Sequence, residues 1–224
     1  MITLTQFLRG TTPPNPLPDS KYYLRVPPNG WTVQGDAPDG IEEGDCGFVS
    51  VANHRDLISA VNGKPGVIPD VECAVMYRLE TGWRAEAPGS DQGVILSRMV
   101  QFLADTGWAA DGGQKPLAVG TCALDQIPLA IELFGAIYRW ALLPQDPGGN
   151  WDFSGGAVQR GERGVRGHAM AQVAARAQPR LITWGGEVLP TQAWLDAYGQ
   201  PDVYWALWPD WKLPGWATGL RPSA

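Results

Sequence analysis

The chain has 224 residues, of which 44 % are apolar and 18 % charged, and carries a net charge of −6 at pH 7. That is enough apolar material for one large domain or two lobes around a cleft. The acidic balance, with no basic run, argues against nucleic-acid binding, and the absence of any stretch of about 18 apolar residues argues against a membrane span.

Residues 1–40 are proline-rich and show little periodicity. Thr11-Thr12-Pro13-Pro14-Asn15-Pro16-Leu17-Pro18 reads as an extended arm. Tyr22, Tyr23, Leu24 and Trp31 favour an arm that packs on this domain or a neighbour over a free tail. Met1 to Phe7 lack the basic and apolar regions of a signal peptide. A helix is expected from Asp45 or Cys46 to about Ala60, with Asp45 as N-cap and Phe48, Val51, Ala52 and Leu57 on its apolar side. A second is expected from about Asp91 to Asp105, stopped by Gly107. A third spans Leu124 to Phe134, with Pro128 in its first turn and Gly135 at its end.

Beyond that the pattern turns to β. Strands are expected over Ala136–Leu143, Val165–Ala177, Arg180–Trp184 and Val203–Trp208, with a short helix over Thr191–Tyr198 between the last two. Helices first and strands later give an α+β class. The boundaries expected are an arm over 1–40, a domain over 41–208 and a Trp- and Pro-rich tail over 209–224. The chain has eleven Trp, residues that bury large areas and favour clefts and interfaces.

Three cysteines, at 46, 73 and 122, form no disulfide framework and read as free thiols in a reducing compartment. Cys46 differs from the other two because Gly44-Asp45 precede it and Gly47 follows it at a helix start. Unpaired N–H groups and the helix dipole at such a start favour a thiolate, the form that attacks a carbonyl. Only two histidines exist. His54 lies on the same helix, about 12 Å along it at the standard rise, so it reads as structural. His168, in Gly167-His168-Ala169 at a strand start, is the remaining partner. The bland alternative makes Cys46 and His168 core residues, and Cys73 and Cys122 are assigned to that role. No Cys/His spacing fits zinc and no glycine pair fits a phosphate loop, so neither a metal nor a cofactor is expected.

The order Cys at a helix start, then Gly-His-Ala on a strand, then a strand ending in Trp-Gly resembles the papain-like cysteine peptidases. The resemblance implies a papain-like fold, with an N-terminal helical part and a C-terminal antiparallel β part. It implies Cys46 as nucleophile, His168 as general base, and a cleft lined by Asp45, Gly47, Gly167, Trp184 and Gly185. The family closes its site with Asn-Ser-Trp-Gly, where this chain has Ile182-Thr183-Trp184-Gly185. Ile182 therefore stands where Asn orients the histidine. Thr183, the nearest polar candidate for that role, falls by strand alternation on the other face. The family's oxyanion glutamine falls on Gly40, with Gln34 and Asp39 out of register.

A closer resemblance is to papain-like proteins of tailed phages and their hosts. It is carried by Glu43-Gly44-Asp45-Cys46, Thr106-Gly107-Trp108, Leu133-Phe134-Gly135-Ala136, Gly167-His168-Ala169, Thr183-Trp184-Gly185 and Trp194-Leu195-Asp196-Ala197-Tyr198, over about residues 40–208. It implies a virion or host-cytoplasm setting and protein partners, either other particle subunits or further copies of the chain. The expected function is a virion-associated structural or interaction component with a degenerate or residual Cys-His site; the alternative is an active hydrolase of peptide or amide bonds, with Cys46 as nucleophile and His168 as general base.

Overall fold

A computed structural model describes residues 1–18, 21–34, 44–64, 66–84, 86–109, 112–143, 166–176 and 178–220. Its described residues form seven strands and six α-helices: β1 (Ile2–Thr3), α1 (Leu4–Leu8), α2 (Cys46–Val61), α3 (Asp70–Thr81), α4 (Leu96–Thr106), β2 (Ala118–Thr121), α5 (Ile127–Phe134), β3 (Ile137–Leu143), β4 (Arg166–Ala174), β5 (Arg180–Thr183), β6 (Gly186–Val188), α6 (Gln192–Tyr198) and β7 (Gly199–Leu207). The strands make one sheet in the order β1-β2-β7-β3-β4-β5-β6. Only β1 and β2 run parallel; every other pair is antiparallel. No described helix is long and apolar enough to cross a membrane.

Capping and burial explain the elements the sequence made legible. Thr191 accepts from the Trp194 N–H and opens α6, while Pro128 sits in the first turn of α5 and Gly135 caps its end. Helix α2 buries residues on nearly every side, from Phe48, Val51 and Ala52 to Leu57 and Ile58. Such a helix runs through a core rather than over it. Much of the tryptophan content is core: Trp108, Trp194, Trp205 and Trp208 are fully buried. In the tail, Trp211 donates its indole N–H to the Leu133 carbonyl at 2.6 Å.

Four expectations change. The first eight residues are not an extended arm, because β1 adds to the sheet edge and α1 buries Leu4, Phe7 and Leu8 in the main core. The helix expected from Asp91 begins at Leu96. Asp91 instead accepts from the Gly93 N–H at 3.1 Å, an Asx-type turn that competes with helix formation. Helix α3 was not foreseen. It buries Cys73, Ala74, Met76 and Tyr77, while Val71, Val75 and Leu79 stay exposed, so apolar residues on both faces erase its periodicity. Strands β1 and β2 come before α5, so the chain does not divide cleanly into helices and then strands.

The sheet sorts the residues around the expected site. Successive side chains of a strand alternate faces. Ala171 pairs with Ile182, and both lie in a cluster with Leu57 of α2. Met170 and Leu181 lie in a cluster with Trp194 and Leu195 of α6. His168 shares the face of Met170, and Thr183 that of Leu181. The two polar residues therefore stand on one face, whereas Ile182 turns its side chain to the other.

Candidate active site

Cys46 is the first residue of α2, and its Sγ accepts a hydrogen bond from the Ala169 N–H at 3.4 Å. The thiol is thus set against the strand residue next to His168. Its glycine neighbours are explained by packing. A Cβ on Gly47 would lie 2.2 Å from Val94 Cγ2 and 2.9 Å from Met99 Sδ. One on Gly44 would lie 2.5 Å from Asp91 Oδ1 and 2.7 Å from Gly93 Cα. These glycines admit the 91–94 segment against the thiol-bearing end of α2. Asp45 is buried at the N-cap, but its side chain makes no capping hydrogen bond to the helix.

His168 is held on two sides. Its Nε2 is hydrogen-bonded to Thr183 Oγ1, and its ring stacks on Trp184 with centroids 4.2 Å apart and planes 17° apart. The expectation that Thr183 faces away is corrected: Thr183 is the histidine's partner and Ile182 is a core residue. Alternation does put Thr183 and Ile182 on opposite faces, but the pairing with β4 turns the Thr183 face, and not the Ile182 face, toward His168. A threonine hydroxyl can accept from Nε2 or donate to it, so it orients the ring without fixing one tautomer.

Trp184 owes its position to a two-residue hairpin turn. Thr183 pairs with Gly186 across β5 and β6, and Trp184 and Gly185 both take positive φ, 45° and 72°. Two left-handed residues in a two-residue loop are the mark of a type I′ turn. Glycine adopts that geometry freely; tryptophan does so at a cost of order 1–3 kcal/mol. The turn projects the indole over the imidazole. Gly185 also lies against Val33, whose Cγ2 would be 2.5 Å from an added Cβ. This brings the chain around Gln34 to the same end of the sheet. Gly167 is exposed and lies over the Trp140 ring. Gly40 and Asp39, the positions considered for the oxyanion, lie outside the described residues.

Burial sets the electrostatics, and it overturns one expectation. The Cys46 thiol is pushed up to about 11, first by burial and then by the charges of Asp45 and Asp91. N–H groups of Ala169 and Gly47 pull the other way and do not win. The helix start therefore does not produce a resting thiolate. His168 is brought down to about 4 by burial. Among the described residues no hydrogen bond joins Cys46 Sγ to the His168 ring. At neutral pH the resting pair is a thiol and a neutral imidazole.

The second histidine is a core group. His54 is fully buried. Its Nε2–H donates to the Phe134 carbonyl at 2.7 Å, and its Nδ1 accepts from the Tyr138 hydroxyl at 2.8 Å. Cys73 and Cys122 are buried free thiols. Among the described residues no cluster of His, Cys, Asp and Glu could hold a metal ion.

Comparison with known proteins bears on the fold. No protein-family model matches the chain, and no curated protein does. Among solved structures it is similar to xylellain, a cysteine protease from Xylella fastidiosa. The TM-score is 0.55 at 11 % identity, covering 82 % of this chain and 84 % of that one. The fold is papain-like.

Two residues near the thiol escaped the sequence reading. Asp91 Oδ2 accepts from the Gly44 N–H at 2.8 Å, and Asp91 Oδ1 accepts from the buried Tyr77 hydroxyl. The triplet Asp91-Gln92-Gly93 carried a turn signature, but nothing in the sequence placed it against Gly44.

Proposed function

We propose that the chain is a cysteine hydrolase acting on a peptide or other amide bond, with Cys46 as nucleophile and His168 as general base. The observation that carries this is the mounting of His168. Thr183 and Trp184 hold the ring on the strand whose next N–H meets Cys46 Sγ. A general base oriented by a third group is the arrangement that activates a sulfur nucleophile. The similarity to a cysteine protease fold supports the same reading.

The resting charges suit a base-assisted attack rather than a preformed ion pair. As Sγ bonds to the carbonyl carbon, its proton passes to the neutral imidazole. The imidazolium then protonates the leaving amine as the C–N bond breaks, leaving a thioester that water hydrolyses with the imidazole again as base. Burial disfavours each charge alone, but the thiolate and imidazolium form together and offset one another.

A second reading is favoured by the raised thiol and the missing Cys46–His168 hydrogen bond. In it the chain is a non-catalytic papain-like component that binds other protein subunits, in the phage setting that the order of short motifs implies, or further copies of itself. Activated-ester turnover separates the two. With p-nitrophenyl acetate, the hydrolase reading expects a rate at least about a hundredfold above a Cys46→Ala background, lost again in His168→Ala. A wild-type rate equal to that of Cys46→Ala leaves the binding component as the function.

A further inference from the structure

The thiol faces an acidic side that the Cys-His layout does not require. Asp91 leaves the segment before α4 and reaches back to Gly44, two residues before Cys46. Its Oδ2 accepts from the Gly44 N–H at 2.8 Å. Its Oδ1 accepts from the Gly93 N–H at 3.1 Å and from the hydroxyl of Tyr77, a fully buried residue of α3. The glycine at 44 is what lets the carboxylate sit there, since a Cβ would meet Asp91 Oδ1 at 2.5 Å. Three separate pieces of chain, α3, the 91–94 turn and the start of α2, thus meet at one carboxylate beside the nucleophile.

We propose that Asp91 is a positioning residue for Cys46: its carboxylate fixes the backbone turn that presents the thiol and sets a negative charge on that side of the helix start. The groups that act on the sulfur are Asp45 from its own helix start, Asp91 from the turn before α4, and the N–H groups of Ala169 in β4 and of Gly47. Tyr77, from α3, is itself pushed up by burial and by Asp91, so it stays a donor to the carboxylate. A fixed like charge beside a nucleophile disfavours its ionised form. Asp91 therefore opposes stray alkylation and oxidation, which need the thiolate. A general base can still remove the proton at the moment of attack.

The inference concerns the same thiol as the hydrolase reading, but alkylation reads it out without turnover, so the two can fail separately. The rate of Cys46 modification by iodoacetamide is followed against pH by peptide mass spectrometry, which separates it from the buried Cys73 and Cys122. Asp91→Asn keeps the size of the side chain and removes the charge. Its profile moves to lower pH, with alkylation at pH 8 roughly three- to tenfold faster than wild type. A folded Asp91→Asn with the wild-type profile overturns the proposal. If that variant does not fold, Tyr77→Phe serves instead. It keeps the charge but removes a donor from it, so the profile moves to higher pH, and no movement or a downward one overturns the proposal.

Discussion

Thr183→Val removes one hydroxyl from the site and changes almost nothing else, because valine has the same shape. Thr183 and His168 are 4 % and 8 % exposed, so water cannot fully replace the lost partner of Nε2. Leaving a buried polar group without its hydrogen bond costs about 1–3 kcal/mol. For a chain of this length that corresponds to a fall in melting temperature of about 2 to 12 °C. The low end is favoured because the Trp184 stack, with a contribution of about 0.5–1.5 kcal/mol, still holds the plane of the ring. The same loss in the hydrolase transition state lowers ester acylation by about 5- to 150-fold. Thr183→Asn restores an oxygen within reach and recovers part of both effects. Thermal melts with stopped-flow acylation measure the pair. A Thr183→Val protein that melts within 1 °C of wild type and acylates at the wild-type rate refutes the role given to the hydroxyl.

Trp184→Gly trades the ring stack for a residue at ease with positive φ. The two effects are of similar size, so stability stays within about 1 kcal/mol of wild type. The His168 ring becomes wetter, and NMR titration finds its pKa rising from about 4 toward its ordinary 6.5; an unmoved titration would mean that the indole does not desolvate it. Acid is expected to weaken the fold. His54 and His168 both lie near 4 in the folded chain against 6.5. Between those values the unfolded chain binds more protons, and stability present above pH 6.5 is lost as pH falls toward 4. Asp56, raised by burial to about 6 from 3.8, acts in the opposite sense over much of that window. Two groups against one leave a net loss of roughly 3 kcal/mol on going from pH 7 to 4. Urea midpoints across that range test the sign, and a midpoint that rises on acidification contradicts the neutral burial of the histidines.

Local signals made much of the framework readable. Gly-Asp-Cys-Gly at a helix start, Pro128 and Gly135 bracketing α5, Thr191 capping α6 and the alternating runs of β3, β4 and β5 act within a few residues of themselves. The places that resisted are those where the deciding contact is remote. The residues of α1 joined the core because β1 found an edge at β2, more than a hundred positions away. Helix α3 hid its periodicity behind three exposed aliphatic residues.

At the site, the sequence by itself determined which side chains could do the chemistry, since only one histidine lies outside the cysteine's own helix. It could not determine how they are held. The face of Thr183 depended on the register between β4 and β5, the indole over His168 on a turn with two positive φ angles, and the thiol's resting state on how much water the fold excludes. Desolvation, with smaller contributions from the charges of Asp45 and of Asp91, 45 residues further along the chain, outweighs the pull of the helix start on the Cys46 thiol. Solvent exclusion and long-range charge are properties of the packed molecule, so they are set only when the tertiary structure forms.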